Sequence, residues 1–166
     1  FSDNSENATE RGNLSDFIFI PNVYPVGRLD KNSEGLMLLS DDGKLQHKLS
    51  NPKNKIKKTY NVQVEGEPKQ SDLNLLRVGI ELKDGLTRPA EVKIIEAPCL
   101  WDRDPPIRVR KTVPDSWLEV IIYEGRNRQI RRMTAAVGHP TLRLIRIKIG
   151  SYSLDNLMPG DFETIA

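Results

Sequence analysis

The sequence is poor in the residues and segments that build disulfides, zinc sites and membrane spans. Cys99 is the only cysteine in 166 residues and there are two histidines, so neither an intrachain disulfide nor a zinc site of Cys and His ligands can form. The longest apolar runs are four residues, far below the roughly 18 needed to span a bilayer. No basic stretch followed by an apolar one opens the chain. These absences predict a cytoplasmic protein without a membrane anchor.

Motifs of several enzyme classes are also missing. The chain has no GxxxxGK[ST] phosphate loop, no GxGxxG dinucleotide motif and no GxSxG nucleophile elbow. Cys99 lies in the segment APCLW with no motif around it, which favours a small buried hydrophobic residue over a cysteine nucleophile. An enzyme built from this chain would therefore rely on a carboxylate, an aromatic residue and arginines, without metal or cofactor.

Positive charge is concentrated in two segments, although the net charge is only +2. Residues 44–60 contain six lysines and no acid, and residues 119–148 contain seven bases and two acids. Solubility alone would explain the lysines. Four arginines also lie within residues 126–132, and guanidinium groups suit phosphate oxygens and base edges. The distribution favours a polyanion such as a nucleic acid as the partner.

Hydrophobic periodicity and turn residues predict an α+β domain with a mixed, mostly antiparallel sheet and flanking helices. The expected strands are 23–30, 35–40, 58–65, 91–96, 117–124 and 141–149. The expected helices are 43–49, 72–78 (capped by Ser71) and 127–137, with turns at 31–34 and 41–43 and a long loop at 98–116. Residues 1–12 are polar and are expected to be flexible. Residues 13–166 are expected to form one domain, with two lobes around a cleft.

A candidate carboxylate follows from strand 23–30. Side chains alternate along a strand, so Arg28 and Asp30 would share one face while Leu29 points into the core. An Asp at the end of a strand beside an Arg is a candidate acid in a cleft. From these two residues alone, a surface ion pair is the favoured interpretation.

Helix 127–137 combines an apolar and a cationic stripe. The spacing i, i+3, i+4, i+7 is typical of a face against a core and is occupied by Ile130, Met133, Thr134 and Val137. Arg128, Arg131 and Arg132 form an adjoining stripe near the positive end of the helix dipole. Such a site attracts phosphate or keeps a carboxylate ionised. Strand 141–149 adds Arg143, Arg146 and Lys148 beside apolar residues, a pattern equally typical of a charge-protected edge strand.

Three segments of the chain, in order, resemble the motifs of one enzyme family. They are GRLDKNSEGLMLLSDDG at residues 27–43, KTYNVQVEG at residues 58–66, and EGRNRQIRRMTAAVGHPTLRLIRIKIG at residues 124–150. Together they resemble RNA pseudouridine synthases of the RsuA family. Residues 105–111 and 114–118 are similar to a branch of that family that modifies large-subunit ribosomal RNA.

The resemblance implies a pseudouridine synthase fold with a central catalytic cleft. It also implies isomerisation of uridine to pseudouridine in RNA, without cofactor or metal. Asp30 matches the family nucleophile, which attacks the flipped nucleoside at C6 or C1′; a glycal route is compatible with the same residues. Tyr60 matches the tyrosine that stacks on the base and transfers a proton. Arg131 matches the basic residue that pairs with the catalytic Asp.

The resemblance and the basic segments together predict how RNA is held. Phosphate or backbone contacts are expected from Arg28, Lys58, Arg126, Arg128, Arg132 and Arg146. Leu144, with its neighbour Ile145 as the alternative, is expected to pack under the uracil. The expected partner is a single-stranded or loop uridine of ribosomal RNA. The protein is expected to be a monomer and to lack an S4-like RNA-binding module. A non-catalytic RNA-binding or ribosome-assembly protein is the alternative that composition alone would also support.

Overall fold

A mostly antiparallel sheet forms the centre of the protein in a computed structural model, which describes residues 13–108, 110 and 112–165. The strands are β1 Tyr24–Val26, β2 Glu34–Gly35, β3 Leu38–Ser40, β4 Lys58–Glu65, β5 Glu81–Leu82, β6 Gly85–Leu86, β7 Glu91–Ile95, β8 Asp115–Ile122, β9 Thr141–Ile149 and β10 Tyr152–Ser153. Five of them lie in the order β10–β9–β4–β8–β7, and β2 pairs with β9 in parallel. The two remaining pairs, β1–β3 and β5–β6, are antiparallel. The predicted class is confirmed.

Three helices accompany the sheet: α1 Gly43–Ser50, α2 Gln70–Val78 and α3 Gln129–Ala136. None of the described helices combines the length and apolar character of a membrane span. The core lies on one face of the sheet, where β4 contributes Val62 and Val64, both without exposed surface. Fully burying such a side chain contributes about 1.5–3 kcal/mol. In α3, Ile130, Met133 and Thr134 are at most 3% exposed, so the predicted apolar stripe does face the core.

Several element boundaries differ from the predicted ones. The first strand ends at Val26 rather than residue 30, because Gly27 turns the chain at φ +73°. The predicted turn at 31–34 ends one residue early, since Glu34 and Gly35 form β2. α3 begins at Gln129 because Arg128 has a left-handed conformation, φ +51°. The residues around Asp30 are therefore a loop, and the alternation expected of a strand does not apply to them.

Other differences lie away from the cleft. α2 begins at Gln70, since the Asp72 carboxylate, not Ser71, accepts from the Lys69 amide at 2.9 Å. The eighth strand covers 115–122 rather than 117–124. The hairpin β5–β6 was not predicted, although an Asp-Gly pair at residues 84–85, where the turn meets β6, is a hairpin signal. Cys99 is exposed, so the prediction of a buried hydrophobic role was wrong.

Gly35 allows the close approach of β2 to β9. Its φ is +107°, and a Cβ atom there would lie 2.2 Å from the carbonyl oxygen and 2.7 Å from the amide nitrogen of Arg146. Only glycine fits, because both the conformation and the space exclude a side chain. This contact fixes where the segment carrying Asp30 returns to the sheet.

We expect Gly35→Ala to lower the free energy of unfolding by about 2–5 kcal/mol, from strained backbone and steric overlap together. Urea denaturation measures the loss. Gly43→Ala is the matched control, since Gly43 begins α1 and a Cβ there meets nothing within 4 Å. An equal effect of the two substitutions would contradict the contact between Gly35 and β9.

Candidate active site

Asp30 lies in the loop between β1 and β2. The Ser33 amide donates to the Asp30 carbonyl at 2.9 Å, which forms a turn directly after the carboxylate. Asp30 is half-buried and lines a cavity of about 270 Å³. Within the described part of the chain, no ion pair within 4.0 Å includes Asp30. The carboxylate is therefore uncommitted to a protein cation and faces a space that could hold a ligand.

Tyr60 lines the same cavity from the central strand of the sheet. Its neighbours in register are Val120 on β8 and Arg146 on β9, and Leu144 lies further along the same face of β9. Burial raises the pKa of the Tyr60 phenol; the nearby Arg146 opposes this shift, and the Asp30 carboxylate adds to it. The three side chains of Asp30, Tyr60 and Arg146 therefore interact electrostatically across the cleft.

Lys58 adds a further cation on the face of Tyr60. Burial and the charge of Arg146 lower the pKa of the Lys58 ammonium. The ammonium lies over Gly125, where a Cβ atom would be 2.7 Å from Nζ. The glycine before the arginine-rich segment thus makes room for a cation inside the cleft.

The cavity brings together most of the residues predicted from sequence. Those that line it are Arg28, Asp30, Lys58, Tyr60, Arg126, Arg128, Leu144 and Arg146. The remaining two, Arg131 and Arg132, are not part of its lining. Residues from the β1–β2 loop, β4, β9 and the segment before α3 thus converge on one space.

Arg131 contacts the turn after Asp30 instead of the carboxylate itself. Its Nη2 donates to the Asn32 carbonyl at 2.9 Å and approaches the Ser33 hydroxyl at 3.5 Å. Burial and the charge of Arg128 lower the pKa of Arg131, whereas the Asp30 carboxylate acts in the opposite direction. The expected ion pair with Asp30 is absent from the described contacts, and Arg131 acts on Asp30 through the turn and through its charge.

Arg126 and Arg132 are engaged within the protein. Both guanidinium groups reach the β5–β6 hairpin: Arg132 binds both Asp84 oxygens at 2.6 and 3.1 Å, and Arg126 donates to the Gly85 and Leu86 carbonyls. The hydrogen bond from Arg132 holds the pKa of Asp84 down to about 2. The Arg132 fork already holds a carboxylate, so an RNA contact by Arg132 stays a prediction and would have to share or replace this ion pair.

Arg146 is 5% exposed and lies in the interior behind Tyr60. Its Nε donates to the Leu36 carbonyl at 2.9 Å and its Nη1 lies 3.4 Å from the Arg28 carbonyl. A phosphate contact predicted for this residue would require an exposed guanidinium. Arg146 is a buried member of the cleft whose guanidinium is already bonded to main-chain carbonyls, and its contact with the RNA backbone stays a prediction.

Glu34 supports the Asp30 loop from outside the cavity and was not singled out by the sequence. Its carboxylate accepts two hydrogen bonds from Arg143, at 2.8 and 3.0 Å, and one from the Trp101 indole at 2.8 Å. Arg103 lies 3.5 Å away, and the Arg143 guanidinium stacks 5.8 Å from the Trp101 ring centre. This cluster joins the Asp30 loop to β9 and to the segment that carries Trp101 and Arg103. The only sequence signal was an acid in a Ser-Glu-Gly turn. The partners of Glu34 are far away in the chain, so local pattern could not identify them.

A larger cavity of about 510 Å³ contains none of the predicted site residues. It is lined by Asn61, Cys99, Trp101, Lys148 and Met158, among others. Asn61 follows Tyr60 on β4, so the larger cavity lies on the opposite face of the sheet. The described residues contain no group of three or more His, Cys, Asp or Glu side chains placed to hold a metal ion. We therefore assign the candidate active site to the smaller cavity.

Comparison with known proteins identifies the class. The family model described as RNA pseudouridylate synthase matches residues 4–136. A ribosomal large subunit pseudouridine synthase E of Xanthomonas campestris is 59% identical over 98% of this chain and 86% of its own length. The enzyme of that name from Vibrio parahaemolyticus is 54% identical over 93% of this chain and 65% of its own length.

Solved structures agree with this result. A crystal structure of a pseudouridylate synthase superposes with a TM-score of 0.77 at 30% identity, covering 92% of this chain and 61% of that one. Human RNA pseudouridylate synthase domain containing 1 shares the fold, with a TM-score of 0.53, 15% identity, and coverage of 78% of this chain and 64% of that one. The fold is thus that of an RNA-modifying isomerase. The chain belongs to the RNA pseudouridylate synthase family and is an RNA pseudouridine synthase.

Proposed function

We propose that this enzyme isomerises a uridine of large-subunit ribosomal RNA, with Asp30 as the group that reacts with the nucleoside. The observation that carries the proposal is the shared lining of one cavity of about 270 Å³ by Asp30, Tyr60 and basic residues. The names of similar enzymes support the choice of ribosomal RNA. That substrate would place the protein in the cytoplasm, where ribosomes are assembled.

Asp30 is suited to act as nucleophile because it is half-buried, faces the cavity and is free of an ion pair among the described residues. During the reaction the N1–C1′ bond breaks, the uracil turns, and a C5–C1′ bond forms. C5 then loses its proton and N1 gains one, so no atom is added or lost. Attack at C1′, attack at C6 and the glycal route all need a carboxylate at this position.

Tyr60 and Leu144 are suited to hold the extruded base between them and the Asp30 loop. Tyr60 offers an aromatic face for stacking, and Leu144 provides apolar contact on the neighbouring strand. Extruding a base costs a few kcal/mol. Phosphate contacts by Arg28, Lys58 and Arg128 at the cavity would offset that cost.

A single-stranded or loop uridine fits this site better than one in a duplex, since the bases of an A-form helix are poorly accessible. A cavity of about 270 Å³ is suited to one extruded nucleoside. We also expect the enzyme to act as a monomer, because one chain supplies every group named in the reaction.

The test of this function is direct mapping. Unmodified large-subunit rRNA is incubated with the protein, and pseudouridine is located by alkali-resistant carbodiimide adducts that stop reverse transcription. We expect a new stop at a defined uridine. Binding of the RNA without any new stop would favour the alternative of a non-catalytic rRNA-binding or ribosome-assembly protein.

We expect Tyr60→Phe to lower the single-turnover rate by about 100-fold or more, because the ring still stacks but can no longer transfer a proton. Release of tritium from RNA carrying [5-³H]uridine measures the rate, and filter binding measures RNA affinity. Affinity should change by less than about threefold, since phosphate and stacking contacts remain. A wild-type rate would remove proton transfer from the role of Tyr60.

A further inference from the structure

Two buried arginines of β9 hold the Asp30 segment from opposite faces of the sheet. Arg143 binds the Glu34 carboxylate through two hydrogen bonds. Arg146 lies on the Tyr60 face and donates to the carbonyls of Leu36 and Arg28. The main chain of Arg146 is also fixed, since its carbonyl accepts from the Leu36 amide at 2.7 Å.

The two guanidinium groups differ in how completely they are paired. Arg143 uses Nε and Nη2 on Glu34, and Nη2 also donates to the Trp101 carbonyl at 2.8 Å. Arg146 is 5% exposed, yet its Nη2 is buried without a hydrogen-bond partner within the described part of the protein. A buried unpaired donor costs about 1–3 kcal/mol, so a residue that keeps one is expected to use it in function.

Arg146 and Tyr60 are neighbours on one face of the sheet, and while burial raises the pKa of the Tyr60 phenol, Arg146 lowers it. The two residues are direct register partners across β4 and β9. Both line the cavity that holds Asp30. The carbonyls that Arg146 binds come two residues before and six residues after Asp30, so one guanidinium touches the loop on both sides of the carboxylate.

We propose that Arg146 is a positioning residue that couples the two reacting groups: it fixes the loop carrying Asp30 and presents its unpaired Nη2–H groups to the phenol oxygen of Tyr60. This inference rests on the proposed function and extends it to a residue outside direct substrate contact. In the reaction Tyr60 gives its phenol proton to N1, and its oxygen then carries a negative charge that Arg146 stabilises. The oxygen next takes up the proton that C5 loses, so Tyr60 ends the reaction as it began.

Several other charges face Tyr60 and must be held constant in a test. Asp30 and Arg28 approach from the β1–β2 loop, and Lys58 from β4 itself. Arg126 and Arg128 approach from the segment before α3. The β8 neighbour Val120 carries no charge. Removing Arg146 takes away a positive charge that holds the pKa of Tyr60 down, so Tyr60 should titrate at higher pH.

The first experiment measures this titration without RNA. Tyr24, Tyr123 and Tyr152 are replaced by Phe, so that Tyr60 is the only one of the four tyrosines left, and phenolate absorbance is followed against pH. We expect the midpoint to rise in Arg146→Met, to rise less in Arg146→Lys, and to stay unchanged in Arg143→Met. An unchanged midpoint in both Arg146 variants would overturn the proposal.

The second experiment measures kinetic coupling. We expect Arg146→Met to lower the single-turnover rate by about 100-fold. The double variant Arg146→Met, Tyr60→Phe should lose rate by a factor at least about tenfold smaller than the product of the two single-variant factors, because the effects of coupled residues are not additive. Arg143→Met should combine with Tyr60→Phe multiplicatively. Multiplicative behaviour of both arginines would contradict the coupling.

Outcomes for the two proposals are distinguishable. A shifted Tyr60 midpoint in a protein inactive on ribosomal RNA would refute the proposed substrate and leave Arg146 in its role. If the parent protein is active on ribosomal RNA but the Tyr60 midpoint is unshifted in both Arg146 variants, only the role of Arg146 is refuted. If Arg146→Met does not fold, as judged by thermal unfolding, Arg146→Lys decides both measurements.

Discussion

Asp30→Asn should abolish pseudouridine formation, with a rate loss of at least about 10⁴-fold, while the protein remains folded and binds RNA. An amide of the same shape cannot act as a nucleophile or accept a proton from the sugar. Within the described residues no cation pairs with the carboxylate, so the free energy of unfolding should change by less than about 0.5 kcal/mol. RNA affinity should hold or increase, because a negative charge is removed from a basic cleft.

Carbodiimide mapping measures pseudouridine formation, and a filter-binding titration on the same RNA measures affinity. Asp41→Asn is the matched control, since Asp41 is an exposed carboxylate in the same motif segment. It should react at the rate of the parent protein. If Asp30→Asn instead lost activity and RNA binding together and to a similar extent, Asp30 would be a binding residue and the nucleophile would have to be sought elsewhere.

Arg131→Ala should lower the single-turnover rate by about 10²–10³-fold. The guanidinium holds the turn after Asp30 through the Asn32 carbonyl and supplies positive charge near the carboxylate, and misplacing a reacting group by about 1 Å costs on the order of 10²-fold. Arg131→Lys should recover part of the rate, because the charge remains while the hydrogen-bond geometry is lost.

Arg77→Ala is the control, because it removes another half-buried arginine from a helix. Arg77 on α2 donates to the Val92 carbonyl on β7, as Arg131 on α3 donates to that of Asn32, but its described hydrogen bonds do not reach the Asp30 loop. It should lower the midpoint of thermal unfolding and leave the rate per folded molecule unchanged. If Arg131→Ala behaved in the same way, Arg131 would serve stability alone.

Local pattern was enough to predict the elements that form the core. The alternation of residues 58–65 and the spacing of Ile130, Met133 and Thr134 both correspond to buried faces. These patterns work because they report burial of adjacent side chains on one element. The assignment of Asp30, Tyr60 and Arg131 to one reaction came from resemblance to a family, and Asp30 and Tyr60 do line one cavity.

Pairings between distant residues could not be predicted in the same way. The sequence contains many arginines, and nothing local distinguishes Arg128, exposed at the start of α3, from Arg132, which is held by Asp84. The parallel contact of Gly35 with Arg146 joins residues more than 100 positions apart. Which arginine remains available for phosphate is decided by those tertiary contacts, and therefore only by the folded chain.

The most direct measurement is a crystal structure of Asp30→Asn bound to an RNA oligonucleotide that contains the mapped uridine. The target nucleotide should be extruded, its uracil stacked on Tyr60, and its C1′ about 3–3.5 Å from the side chain at position 30. A uridine still stacked in the RNA, or bound in the larger cavity beside Trp101 and Met158, would contradict the assignment of the active site.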